Sequence, residues 1–182
     1  MINMTKVNCM RRIKEEFNEL TKNPINNLGI VIGLFDEFNI FEWRCSILGP
    51  RDTPYKGGFF NLKIKFPDNY PESPPEIYFQ TPVYHLNVNS SSKSGIPVGK
   101  VYLRALNNWK NYYNMKKILP EIFVLFYKND PECGFDKEKN QEYQNNRKVF
   151  DEKIRYYTKK YANPMISLED INIGSDWNFN YP

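Results

Sequence analysis

The sequence predicts an α+β fold: an N-terminal helix, a four-stranded antiparallel meander sheet, a central buried helix and C-terminal helices. Two observations carry this. Apolar residues recur at three- and four-residue steps near both ends of the chain, and at two-residue steps between them. Short turn-forming stretches join the β-rich runs, which favours antiparallel neighbours over parallel strands connected through helices.

From about Met10 to Thr21, Met10, Ile13, Phe17 and Leu20 form the apolar stripe of an amphipathic helix, with Arg11, Arg12, Lys14, Glu15 and Glu16 on its other faces. Asn23-Pro24 ends it. Four β-rich runs follow, LGIVIGLF, IFEWRCSILG, GGFFNLKIKFP and PEIYFQT, separated by DEFN, GPRDTPYKGG and PDNYPESPP. Phe60, Leu62, Ile64 and Phe66 alternate with Asn61, Lys63 and Lys65, the pattern of a strand with one wet face. Past Thr81 the periodicity fades until Tyr113, and SSSKSG within this stretch predicts a polar, flexible segment. MKKILPEIFVLFY predicts a buried helix with Leu119, Ile122, Phe123 and Phe126 inward and Pro120 within its first two turns. A last helical region runs from about Lys137 to Tyr161, with Tyr143, Phe150, Ile154 and Tyr157 inward. Residues 163–182 lose periodicity, so the domain is expected over 1–162, followed by a tail. In that tail Trp177, Phe179 and Tyr181 alternate, as in a segment that docks on the body or on a partner.

With 41% hydrophobic and 25% charged residues the chain reads as soluble and globular, and 182 residues suffice for one cored domain. No run of about 18 apolar residues offers a membrane span. The N-terminal MINMTKVNCMRRIKEEF carries charge where a signal peptide needs an apolar stretch, so a cytoplasmic or nuclear location is expected. The net charge is +4, with 25 basic residues dispersed among 21 acidic ones, which is not the basic stripe of a nucleic-acid binder. Cys9, Cys45 and Cys133 are too few and too scattered for a disulfide framework or a zinc site, and His85 is the single histidine. A Ser-His-Asp triad would have to use it, and no G-x-S-x-G elbow is present. Neither a cofactor nor a metal is expected.

Three motifs stand in order: Gly49-Pro50-Arg51-Asp52-Thr53-Pro54-Tyr55-Lys56-Gly57-Gly58, then Phe66-Pro67-Asp68-Asn69-Tyr70-Pro71-Glu72-Ser73-Pro74-Pro75, then His85-Leu86-Asn87. With RRIKEEFNELTKNP before them and RYYTKKYA after, they resemble the ubiquitin-conjugating enzyme family over roughly residues 10–162. The resemblance implies transthiolation, in which a cysteine thiolate takes ubiquitin's C-terminal carbonyl as a thioester that a substrate lysine then attacks. The family's cysteine stands in G-x-[IV]-C-[LIV], about nine residues after His-Pro-Asn. Here Gly99-Lys100-Val101-Tyr102-Leu103 puts Tyr102 at that position, and counting back without gaps from Trp109 puts Val101 there. No cysteine lies between Cys45 and Cys133. A phenol with a pKa near 10 is only about one-thousandth ionised at pH 7, and nothing nearby reads as an activating base. Tyr102 is therefore expected to fill the cleft rather than react.

By the same resemblance, Asn87 matches an oxyanion-stabilising asparagine and, without a thioester, is expected to hold backbone groups in a turn. His85 matches a structural histidine. Leu86 replaces a proline, a change expected to loosen the turn. Eleven residues separate Asn87 from Gly99, against about five in the family, so a flexible loop is expected beside the groove. Cys133 falls where the family has an acidic residue at the groove mouth and is the alternative nucleophile, although Asp130 and Glu132 beside it raise a thiol's pKa. Arg11, Arg12 and Lys14 correspond to the basic face that meets an activating enzyme. Family ligases grip an apolar residue after Tyr-Pro and a Ser-Pro-Ala after the tryptophan. Here Glu72 follows Tyr70-Pro71, and Lys110, Asn111 and Tyr112 follow Trp109, so both anchors differ.

The resemblance thus implies a catalytically inactive homologue acting as a binding or regulatory module in ubiquitin or ubiquitin-like protein conjugation. Its expected partners are that modifier and an active conjugating enzyme or an activating enzyme. The alternative is a transferase forming its thioester on Cys133.

Overall fold

The computed structural model describes residues 4–25 and 28–163. Four strands, β1 (Ile30–Leu34), β2 (Glu42–Leu48), β3 (Phe59–Lys65) and β4 (Glu76–Phe79), form one antiparallel meander in the order β1-β2-β3-β4. Register follows from the apolar alternation. Trp43, Cys45 and Ile47 of β2 stand opposite Ile64, Leu62 and Phe60 of β3, and Leu62 and Ile64 stand opposite Phe79 and Ile77 of β4. All eight are buried, so a one-residue slip would carry this set to the wet face. At about 1.5–3 kcal/mol per buried aliphatic or aromatic side chain, that pattern outweighs any local preference of the turns.

The helices are α1 (Met4–Lys22), a single turn α2 (Arg104–Asn107), α3 (Met115–Leu125), α4 (Lys137–Asn145) and α5 (Arg147–Tyr161). Met115, Ile118, Leu119 and Ile122 of α3 are buried in one core with the inner face of the sheet, and Phe126 just beyond α3 packs its ring on Phe60. Pro120 lies in the second turn of α3, and Asn114 caps the helix by accepting from the Lys117 amide. The region expected as one helical stretch over 137–161 is two helices. Asn146 leaves helical geometry, and its side chain accepts from the Val149 amide to start α5.

α1 differs from expectation on both faces. It begins six residues earlier than the periodicity suggests, and Cys9, not Met10, takes the first inward position; Met10 is 44% exposed. Glu16, read from the sequence as a solvated charge, is 5% exposed. Its carboxylate accepts from Arg12 Nε (2.5 Å), the Tyr70 hydroxyl (2.7 Å) and the Met115 amide (2.8 Å). One acid thereby ties α1 to the 66–75 segment and to the start of α3, which is how a carboxylate tolerates burial.

The 49–58 turn is equally constrained. Gly49 donates to Gly58 O (2.8 Å), and a Cβ on Gly49 would stand 1.9 Å from Tyr55 O, so no larger residue fits. Tyr55 is buried and donates to Tyr84 O (3.0 Å), setting this turn against the segment that carries His85. The boundary at 162 and the docking of Trp177, Phe179 and Tyr181 concern residues beyond 163, outside the described part of the chain.

Candidate functional site

The site is built from two irregular segments, 84–103 and 126–135, joined by side chains rather than by regular pairing. His85 is buried; its Nδ1 accepts from the Asn87 amide (2.9 Å), which leaves Nε2 to donate to Leu125 O (3.0 Å). Burial pushes the imidazole pKa down to about 4, so it is a neutral, positioning group at neutral pH. Asn87 is buried as well. Its amide nitrogen donates to Asp130 O (2.8 Å) and Cys133 O (3.1 Å), and its oxygen accepts from the Asp130 amide (2.9 Å). The backbone-holding role expected of Asn87 is therefore what its geometry provides. Leu86 does not loosen the turn as expected: its amide donates to Asn129 Oδ1 (3.2 Å), a bond that proline cannot make, and its carbonyl accepts from Phe135 N (3.2 Å).

The inserted stretch 88–98 is not the free loop its composition suggests. Buried Asn89 donates to the carbonyls of Ser91 (2.8 Å), Ile96 (2.7 Å) and Pro97 (3.2 Å), and its backbone pairs with Lys100 O and Gly99 N. Ser91 caps a 3-10 turn over Ser92–Ser94. Buried Lys139 of α4 donates to Ser90 Oγ (2.6 Å), and burial pulls its ammonium pKa down to about 8. The loop returns at Gly99, where φ is +83° and a Cβ would meet Phe79 O at 2.2 Å; glycine is required twice over.

Past Gly99 the chain runs as an extended strand fragment. Val101 and Leu103 point into the core, while Tyr102 between them is 37% exposed. The Val101 amide donates to Ile77 O and the Tyr102 amide to Asn87 O, both at 2.8 Å. Of the two positions aligned by sequence with a nucleophile, Tyr102 faces the groove and Val101 does not. Tyr102 does not fill that groove: its ring rests edge-on against Phe135 (5.6 Å between centroids) and forms one wall of an open channel of about 710 Å³. Leu103, Val124 and Leu125 supply further apolar wall, and Lys128, Asp130 and Glu132 the polar rim.

Arg104, which no sequence motif marks, spans that rim. It pairs through Nε and NH2 with Asp130 and through NH2 with Glu132 (2.5 Å). The guanidinium holds the Asp130 carboxyl down to about 2. Cys133 is half-buried two residues beyond the rim's Pro131, and is not itself among the lining residues described. Burial, then the hydrogen bond and charge of Asp130, push its thiol up. A thiol so placed forms less thiolate than a free cysteine.

The residues expected to meet partners are scattered in role. Arg11 and Lys14 are exposed, Arg11 4.0 Å from Glu15, whereas Arg12 is turned toward Glu16 and also donates to Tyr113 O (3.1 Å). Trp109 is partly buried; its indole N–H donates to Pro71 O (2.7 Å), binding the two loops to each other. Glu72, Lys110 and Asn111 are exposed, and Tyr112 is 72% exposed with its ring edge against Tyr113.

An antiparallel meander backed by one buried helix, with a His-x-Asn turn pinned behind a groove, is the α+β arrangement that the sequence resemblance implied. Comparison with known proteins narrows this. The family model described as "Ubiquitin-conjugating enzyme" matches residues 12–158. The chain is similar to a probable ubiquitin-conjugating enzyme E2 31 of Arabidopsis thaliana, 40% identical over 126 residues, covering 69% of this chain and 77% of the relative. It is 35% identical to ubiquitin-conjugating enzyme E2 14 of the same plant, covering 78% and 88% of the two chains, and 34% identical to ubiquitin-conjugating enzyme E2 14 of Schizosaccharomyces pombe, covering 84% and 93%. The chain belongs to the ubiquitin-conjugating enzyme family.

Proposed function

We propose that this member of the family carries no transferable thioester and works as a binding or regulatory module in ubiquitin or ubiquitin-like protein conjugation. The observation that supports the reading is Tyr102, a phenol that faces the groove between two core residues, at the position the sequence resemblance aligns with the family's thiolate. Two further features support it. The Asn87 amide is saturated by the backbone of residues 130–133, and Arg104 occupies both carboxylates of the acidic rim that would receive an amine. Its partners in this reading are ubiquitin or a ubiquitin-like protein, and an active conjugating enzyme or activating enzyme, in the cytoplasm or nucleus.

The test is incubation with activating enzyme, ATP and ubiquitin, resolved on a non-reducing gel. No adduct is expected, together with a chemical-shift footprint when ubiquitin is titrated onto the labelled protein. A thiol-sensitive adduct abolished by Cys133→Ala would replace this reading with a transferase acting through Cys133. Absence of both adduct and footprint, with ubiquitin and with ubiquitin-like proteins, would remove the chain from modifier binding altogether.

A further inference from the structure

A second cavity lies away from the groove. Pro54, Lys56 and Gly57 of the 49–58 turn face Arg155, Thr158 and Lys159 of α5 across a pocket of about 460 Å³. Among the described residues its lining holds three cations and no carboxylate. The ion pairs of α5 are made by other side chains, Arg147 with Asp151 and Lys153 with Glu142, which leaves Lys56, Arg155 and Lys159 exposed and without an acidic partner among the described residues. Arg155 and Lys159 stand one turn apart on the same helix and repel each other. Lys159 complements the carbonyl end of α5, but Arg155 lies a turn deeper and Lys56 arrives from the opposite wall, so the helix end does not account for the cluster.

The chain itself supplies the complement. It leaves α5 through Ala162 and Asn163, both of which line this pocket. Beyond that point, residues 164–182 contain Glu169, Asp170 and Asp176 and no lysine or arginine; the last cation of the sequence is Lys160. We propose that the pocket between the 49–58 turn and α5 is the docking site for this acidic C-terminal segment, with the Glu169 and Asp170 carboxylates bridging Lys56, Arg155 and Lys159. Glu169 and Asp170 lie six and seven positions beyond Asn163, a reach of up to about 20–25 Å when extended, so the segment can turn back into a pocket at its own root. Tethering sets an effective concentration in the millimolar range, at which carboxylate–ammonium contacts too weak to hold a free peptide become populated. This docking is independent of what the groove at Tyr102 does.

The test compares amide spectra of the full ¹⁵N-labelled chain with those of its E169Q/D170N/D176N variant, whose substitutions lie beyond the described residues. The resonances of Lys56, Gly57, Arg155 and Lys159 are expected to move in the variant. Raising NaCl from about 0.05 to about 0.5 M is expected to move the wild-type peaks the same way and to leave the variant's in place, because such contacts are screened. A 164–182 peptide added to the variant at millimolar concentration is expected to restore the wild-type positions, and the same peptide with the three acids neutralised is not. Superimposable spectra of wild type and variant overturn the proposal. If those spectra superimpose while inorganic phosphate at millimolar concentration shifts the pocket residues, the pocket takes a free anion and the tail is not its ligand.

Discussion

Asn87→Ala separates a structural asparagine from a catalytic one. The side chain makes three hydrogen bonds of 2.8–3.1 Å, all to backbone groups of Asp130 and Cys133, from a fully buried position. Truncation leaves the Asp130 amide and two carbonyls without these partners. A buried polar group without a partner costs about 1–3 kcal/mol, and the 130–133 turn borders an open channel through which water re-solvates part of the set. The expected loss is about 2–4 kcal/mol, or roughly 5–15 °C in Tm for a chain of this size. Urea titration followed by circular dichroism should show a lower midpoint at unchanged m, and amide exchange at Asp130 should accelerate. Asn87→Asp should be worse at neutral pH, because the introduced carboxylate keeps the acceptor but faces the carbonyls of Asp130 and Cys133. Its folded pKa would then be raised, so the loss should grow as pH rises through that value and shrink in acid. A destabilisation below about 0.5 kcal/mol for Asn87→Ala, with Asp130 exchange unchanged, would refute the clamp.

Other perturbations follow the same logic. Glu16→Ala strips the partner from part-buried Arg12, from buried Tyr70 and from the Met115 amide, and should destabilise by about 3 kcal/mol in urea titration, whereas Glu15→Ala on the exposed face should change little. His85 is neutral when folded down to about pH 4 but titrates near 6.5 when unfolded. The unfolded chain then binds more protons between those values, so stability should fall by about 3 kcal/mol as pH drops from 6.5 to 4; His85→Gln should flatten that part of the profile. Arg104→Ala should raise the Asp130 carboxyl from about 2 toward its ordinary value, read by carbon-detected NMR titration; an unmoved Asp130 would show that another group holds it down. Asn89→Ala should speed amide exchange across 90–97 and leave the sheet amides untouched; uniform loss of protection would mean that Asn89 supports more than the inserted loop.

The sheet was legible because burial on one face writes a period of two into Phe60, Leu62, Ile64 and Phe66, and all four are buried. The same holds for Leu119 and Ile122 on α3. Failures cluster where a polar side chain bonds to backbone across a long sequence gap. Glu16 sits in a run of charges that any helical wheel assigns to solvent, and only Tyr70 and Met115, 54 and 99 residues away, explain its burial. Asn89 looked like loop composition because its acceptors are carbonyls, which leave no trace in residue identity. Arg104 was within reach: a cation two residues past Tyr102 and two acids near Cys133 form a pair that proximity in the fold would have suggested.

Leu86 shows how the groove stays ordered. A proline at this position would restrict the turn covalently; leucine instead frees an N–H, and Asn129 accepts it from the segment that Asn87 also holds. Asn87, Asn129 and Arg104 then fasten residues 126–135 to residues 85–104 at several separate points, with Phe135 closing on Leu86 O and on the Tyr102 ring. Polar groups that a reacting carbonyl would need to find free are bonded within the protein, and the apolar wall of Tyr102, Leu103 and Val124 is what remains open to a ligand. A groove so fastened is preorganised for binding, since few side chains must be immobilised when a partner arrives. In the proposed reading, that physical bias stands beside the phenol of Tyr102 as support for a module that holds a modifier.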